Sequence, residues 1–176
     1  MKKLFIFQSL LAICGIVCGI AAFVALPDEH VVTLHQYLTG RMEGNTMTGF
    51  LETGGQIFRS NLLDLIRVYL AGSCLLGLPV LILFIFVKGF VFGFTSCFLI
   101  SHSALLILSR FLILPVLVLA SAAGMQFTFL MLQNRMDSPA RHLLEYTITF
   151  AVILLLVLAV SYADGFMCSR YLLNYS

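Results

Sequence analysis

Residues 77–95 read GLPVLILFIFVKGFVFGFT and hold a single charge, Lys88, which Gly89 follows directly. They lie within an apolar run that extends over residues 68–108. One helix of that length would measure about 60 Å at about 1.5 Å per residue, which is twice the bilayer's hydrocarbon thickness of roughly 30 Å. A lysine is costly at the bilayer centre but can reach the headgroups from a helix end. The sequence therefore predicts two helices joined at Lys88-Gly89, with Lys88 at the tip of a hairpin.

The composition of the chain excludes a water-soluble protein. Hydrophobic residues make up 61% of the 176 residues and charged residues 10%, whereas an ordinary globular domain has about 45–50% and 25%. The net charge of +2 is small and there is no basic patch, so nucleic acid is not an expected ligand. The five cysteines include no Cys-x-x-Cys pair, and we interpret them as packing residues rather than disulfides or metal ligands.

Five long apolar segments predict an all-α, polytopic membrane bundle that forms a single domain over residues 1–176. The first is interpreted as an uncleaved anchor, because a signal peptide has a shorter apolar core of about 7–15 residues. Ser109-Arg110 is expected to separate the third and fourth spans. Ser138-Pro139 is expected to start the fifth, and Asp164-Gly165 to end it. The predicted spans are residues 4–26, 65–87, 90–108, 111–132 and 143–163.

Residues 27–61 form the one long polar segment and are predicted to be an external loop. Five spans place the two termini on opposite sides of the membrane. The positive-inside rule favours a cytoplasmic N-terminus and an external C-terminus, by five basic residues to four. Apolar residues at helical spacing in the loop indicate a short amphipathic helix, at the membrane surface or against a partner: Val31, Leu34, Leu38 and Met42.

Three local patterns predict how the helices are arranged. Residues 15–19 and 89–93 each have the Gly-x-x-x-Gly spacing that lets two membrane helices approach closely. Asp64 and Arg67 stand on neighbouring positions of one helix face and predict an ion pair at the membrane boundary. Residues 77–79, Gly-Leu-Pro, predict either a simple kink or a broken helix of the kind that lines transport sites.

The sequence has no pattern for catalysis, for a cofactor or for a metal. It lacks a glycine-rich phosphate loop and a histidine pair at metal-binding spacing on a helix. His30 and His35 stand beside acidic residues, in what we interpret as a solvated loop rather than a metal site. His102 lies between two serines in the third predicted span and is the candidate intramembrane polar site. An ionisable residue at such a position is a functional hypothesis by default, and packing with a hydrogen bond is the alternative.

A block over residues 58–99 resembles the stage II sporulation protein M family of bacterial membrane proteins. The block reads Phe58-x-x-Asn61, then Gly77-Leu78-Pro79, then Phe86-Val87-Lys88-Gly89, then Gly93-Phe94-Thr95. The layout of an anchor, one external loop and about five spans is also similar to that of the family. The resemblance implies that the signature residues form a structural core and not a catalytic site: Phe58, Asn61, Gly77, Pro79, Lys88, Gly89 and Gly93.

The resemblance further implies a non-enzymatic role in sporulation. Proteins of this family are integral components of the engulfment machinery and hold peptidoglycan hydrolases at the septal membrane of the mother cell. The expected partners are a lytic transglycosylase, an amidase/endopeptidase and membrane lipid, without a cofactor. A different class remains open, a membrane subunit of a transporter that works with a separate ATPase, because Pro79, Pro115 and His102 lie inside predicted spans.

Overall fold

A computed structural model describes residues 2–27, 50–74, 76–100, 104–133 and 139–173, and each range consists almost entirely of one α-helix. The prediction of an all-α, polytopic membrane bundle is confirmed. The helices are α1 (Lys2–Val24), α2 (Phe50–Gly72), α3 (Gly77–Ile100), α4 (Ala104–Leu132) and α5 (Pro139–Leu173).

Four of these helices are long and apolar enough to cross a membrane. Their qualifying segments are Lys2–Val24, Gly77–Cys97, Phe111–Leu132 and Arg141–Phe166. The remaining helix, α2, carries four charged residues. Its exposed face is mixed: Leu63, Ile66 and Leu70 are apolar, whereas Arg59 and Arg67 are charged, and Asp64 is buried. α2 therefore has an apolar stripe that lipid can contact and a buried carboxylate, although its composition alone does not qualify it as a span.

The helices alternate in direction. α1, α3 and α5 point one way, and α2 and α4 point the other. We call the end of the bundle where α1 begins the proximal end, and the end where α1 finishes the distal end; α5 finishes at the distal end. The contacts that establish these directions pair Ala12 with Gly89, Ile16 with Gly93, Leu81 with Gly124, Phe92 with Phe111, Asp64 with Lys88, Ala71 with Gly77, Asn61 with Ser161 and Tyr69 with Tyr146.

The predicted helix break at Lys88-Gly89 is wrong, because α3 continues through both residues. The chain leaves α2 at Gly72 and enters α3 at Gly77, so these two helices replace the predicted spans 65–87 and 90–108. The physical reason is that a carboxylate inside the bundle compensates the lysine, which therefore does not need the headgroups. Pro79 lies in the first turn of α3, where its missing N–H costs no hydrogen bond. It belongs to a helix start and not to a kink.

The predicted external loop 27–61 is too long, since α2 already begins at Phe50. Residues 50–61 look loop-like because they contain glycines and polar side chains. In the bundle Gly54 faces Tyr162 and Asn61 is bonded to α5, so these two residues lie on the inward face of a helix, while Gln56, Arg59 and Ser60 are exposed. The amphipathic helix expected around residues 31–42 lies outside the described residues, as do His30 and His35.

Two further boundaries differ from the prediction. α4 begins at Ala104 and passes through Ser109-Arg110 without a break, because arginine is a good helix former and a cation alone does not interrupt a helix. α5 begins at Pro139, as expected, but it continues past Asp164-Gly165 to Leu173. One glycine costs a helix only about 1 kcal/mol, whereas the apolar part of α5 ends at Phe166, close to the expected limit.

The predicted close approach at the two Gly-x-x-x-Gly patterns is confirmed. Gly15 and Gly19 of α1 lie directly against the backbone of α3, and Gly89 and Gly93 of α3 lie against the backbone of α1. A β-carbon at any of the four would overlap a carbonyl oxygen of the facing helix. α1 is therefore held by backbone-to-backbone packing, which is how small residues stabilise helix pairs in lipid.

The centre of the bundle is α4. Its small residues over 120–124 are all buried, and Leu117 and Val118 form a second buried cluster with Ala12 and Ile85. Contacts from all four other helices converge on α4. Pro115 lies inside this helix and is exposed. Consequently the polar groups described next are placed around a tightly packed central helix.

Candidate functional site

Lys88 occupies the middle of α3, the twelfth of its 24 residues. In a helix that crosses a bilayer, this position is near the centre, where an uncompensated lysine costs about 2.5–3.5 kcal/mol. The Lys88 ammonium donates a hydrogen bond to Oδ2 of Asp64 on α2. It also lies 5.6 Å from the centre of the Phe84 ring, one turn earlier on α3, a cation–π distance.

Asp64 is the buried centre of the charged group. Its side chain is 6% exposed, against 33% for Lys88 and 68% for Arg67. Arg67 donates to the other carboxylate oxygen, Oδ1, at 3.2 Å, so the predicted Asp64–Arg67 ion pair is confirmed. Both carboxylate oxygens accept a hydrogen bond. One acidic and two basic side chains give the cluster a net formal charge of +1.

A neutral polar contact continues the inward face of α2 toward the distal end. Asn61 stands one turn before Asp64, and its Nδ2 donates to Oγ of Ser161 on α5 at 2.9 Å. Ser161 is fully buried. Asn61 and Asp64 therefore attach α2 to two different helices, α5 and α3, through side chains that would be unfavourable if they faced lipid.

The proximal end of α2 is bonded through its backbone. Tyr146 of α5 donates its hydroxyl to the Tyr69 carbonyl at 3.0 Å, and Thr128 of α4 donates to the Gly72 carbonyl at 2.8 Å. The last carbonyls of a helix lack partners within it, and Thr128 supplies one to Gly72, whereas the Tyr69 carbonyl also accepts from the Ser73 N–H at 3.1 Å. Stacking reinforces the contact, because the Tyr146 ring lies 5.1 Å from that of Tyr69 and 4.4 Å from that of Phe127.

The structure brings most of the signature residues into contacts between helices. Phe58 packs against the large buried cluster that includes Leu65 and Val68. Asn61 is hydrogen-bonded to α5, and Lys88 to Asp64. Gly89 and Gly93 form the contact with α1, whereas Gly77 approaches the Ala71 backbone at the turn and Pro79 is exposed. His102 lies outside the described residues.

Sequence reasoning missed the Asp64–Lys88 pair and the Asn61–Ser161 bond. The signal for the first was present, since Lys88 is the one charge in residues 77–95 and Asp64 is the one acid in residues 53–100. Two isolated opposite charges in apolar surroundings are expected to pair. The signal was masked by the interpretation of Lys88 as the tip of a turn.

The geometry of the described residues links helix to helix. Among the described residues, no three His, Cys, Asp or Glu side chains converge as metal ligands would. Cys14, Cys18, Cys74 and Cys97 carry free thiols. The polar contacts described above join one helix to another, and each charged or hydroxyl group named there has its partner within the bundle.

The comparisons with known proteins agree with this architecture. The family model of stage II sporulation protein M matches residues 8–166 of the 176-residue chain, which includes most of all five helices. No curated protein and no solved structure matches the chain. From the extent of the family match, this multi-pass membrane protein belongs to the stage II sporulation protein M family.

Proposed function

We propose that the protein is a non-enzymatic scaffold of the engulfment machinery, which holds peptidoglycan hydrolases at the septal membrane during sporulation. The observation that carries the proposal is the family match over residues 8–166. It is supported by a bundle whose polar residues bond helix to helix, as in the Asp64–Lys88 and Asn61–Ser161 contacts. Such a bundle is a rigid platform for segments outside the membrane.

The arrangement of the helices favours the distal end of the bundle as the surface that binds the hydrolases. The connection from α1 to α2 leaves from the distal end, and α5 finishes there, about two turns beyond its apolar segment. Gly54, near the start of α2, lies against Tyr162 of α5. Residues 28–49 and the end of α5 therefore start from neighbouring positions on the bundle. The scaffold proposal has the distal end outside the cell, where peptidoglycan is, and the N-terminus in the cytoplasm.

Site-specific photo-crosslinking in sporulating cells tests the proposal. A photoreactive residue at Leu38 is expected to capture a lytic transglycosylase or an amidase/endopeptidase. The matched control is the same residue at Leu144, an exposed leucine at the proximal end, which should capture neither hydrolase. Capture of only a cytoplasmic ATPase, from the proximal position, would refute the scaffold and favour a transporter.

One observation keeps the transporter subunit as a second candidate. Charged pairs within membrane helices often mark ion or substrate pathways, and Asp64–Lys88 is such a pair. One of the observations that favoured a transporter no longer does so, because Pro79 lies at the start of a helix and does not break one. The double variant Asp64→Asn with Lys88→Met separates the two functions. A scaffold should retain its partners with the neutral pair, whereas a pathway that needs the charges should lose transport.

A further inference from the structure

A groove between α4 and α5 at the proximal end is lined by both apolar and charged residues. Its volume is about 230 Å³, smaller than the roughly 300–1,000 Å³ of sites for drug-sized ligands. The last turns of α4 contribute Ala123, Phe127 and Leu130 as an apolar wall. The first turns of α5 contribute His142 and Glu145 at the rim. Since α4 ends at Leu132 and the apolar segment of α5 begins at Arg141, the rim of the groove lies at the level of lipid headgroups and its deeper part lies within the apolar segments.

One polar atom in the groove lacks a hydrogen-bond partner. Oε1 of Gln126 is buried and accepts no hydrogen bond from any described residue, and Gln126 lines the groove. A buried carbonyl oxygen without a donor costs about 1–3 kcal/mol. A ligand in the groove that carries a hydrogen-bond donor would satisfy this oxygen when the Gln126 side chain rotates toward the groove.

The rim supplies complementary charges for a zwitterion. Glu145 accepts from Nε of Arg141 at 3.3 Å, and its other oxygen lies 3.7 Å from Nδ1 of His142. The Glu145 side chain is still 58% exposed, so its carboxylate can accept further donors. Arg141 is exposed, and among the described residues only its Nε is bonded to Glu145, which leaves its other guanidinium N–H groups for a phosphate.

We propose that this groove binds a phospholipid with a primary-amine headgroup, phosphatidylethanolamine. The ammonium donates to Gln126 Oε1 and to Glu145, and the phosphate accepts from Arg141. The acyl chains leave the groove over exposed apolar side chains on the adjoining face of α5, Ile148 and Val152. The inference is independent of the scaffold proposal, because a lipid at this site would bind equally in a transporter subunit.

Lipid retention by the purified full-length protein tests the inference. Native mass spectrometry from detergent micelles would compare phosphatidylethanolamine with phosphatidylcholine of the same acyl chains. Phosphatidylcholine keeps the phosphate and the positive charge but has no N–H donor. We expect at least about fivefold greater retention of phosphatidylethanolamine, since the charge-assisted hydrogen bonds are lost with the methylated amine.

Two variants locate the site. Gln126→Leu and Glu145→Gln should each reduce the preference for phosphatidylethanolamine about fivefold. Glu145 is exposed, so its substitution does not depend on refolding of the core. Gln133→Leu is the matched control, directly after the last residue of α4 at an exposed position outside the groove, and it should retain the preference. Equal retention of the two lipids, stronger retention of phosphatidylglycerol, or an unchanged preference in both variants would overturn the inference.

Discussion

At the scale of single residues, the Asp64–Lys88 pair explains how a lysine is tolerated in the middle of α3. Either charge alone would be a liability at membrane depth, because lipid offers no solvation. Together they satisfy each other, and Arg67 occupies the second carboxylate oxygen. The pair also connects α2, the most polar helix, to one of the most apolar ones.

Neutralising both members of the pair should cost less stability than the sum of the two single neutralisations. We expect Asp64→Asn to lower the free energy of unfolding by about 3 kcal/mol, since it leaves two cations without their carboxylate. Lys88→Met should cost less, because Arg67 still pairs with Asp64. The double variant should lose less than the sum of the two. Thermal unfolding in detergent would measure this, with Arg141→Gln as the control, because Arg141 belongs to an exposed pair worth under about 1 kcal/mol. Strictly additive losses would contradict a direct interaction.

The two tyrosines at the proximal end offer a matched test of the bonds to α2. Tyr146→Phe removes the hydroxyl that donates to the Tyr69 carbonyl, which also accepts from the Ser73 N–H, and is expected to lower stability by about 1 kcal/mol. Tyr69→Phe removes only an exposed contact of 3.2 Å with Thr147 and should change stability very little. Equal effects of the two substitutions in the same unfolding assay would show that the Tyr146 bond does not hold the end of α2.

At the scale of helices, the contact between α1 and α3 depends on glycines, whose lack of a side chain lets the two backbones touch. Gly93→Ala should place a methyl group against the Ile16 carbonyl and lower stability by about 1–3 kcal/mol through overpacking. Gly55→Ala is the matched control within a helix, because nothing lies within 4 Å of its added carbon. There alanine should be neutral or stabilising by up to about 1 kcal/mol. The difference between the two variants in thermal unfolding is the measurement, and its absence would refute the close approach.

The boundaries of a helix could be predicted from the sequence where a local residue sets them, and not where a distant residue does. Pro139 marks the start of α5 locally, and the glycine spacings in α1 and α3 indicate close packing without any tertiary knowledge. Lys88-Gly89 misled because a lone charge in an apolar run has two solutions, a turn that reaches water or a partner helix that supplies the opposite charge. The choice depends on Asp64, which is 24 residues away. The glycines and polar residues of α2 likewise resemble a loop until α5 is placed beside them.

At the scale of the whole molecule, the alternating helix directions predict five crossings, although α2 is too polar to qualify by composition. Epitope tags at the two ends of the chain should then be cleaved from opposite sides of the membrane, in spheroplasts and in inverted vesicles. A tag inserted within residues 28–49 should behave like the C-terminal tag. Two terminal tags on the same side would mean four crossings, with α2 outside the membrane.

The central claim is that this family member supports engulfment as a scaffold in the membrane. Its most direct test is deletion of the gene, followed by membrane-dye imaging of starved, sporulating cells. We predict flat or bulging septa that fail to surround the forespore, with recovery on expression of the wild-type chain and of the neutral Asp64→Asn, Lys88→Met pair. Normal engulfment in the deletion strain would contradict the account.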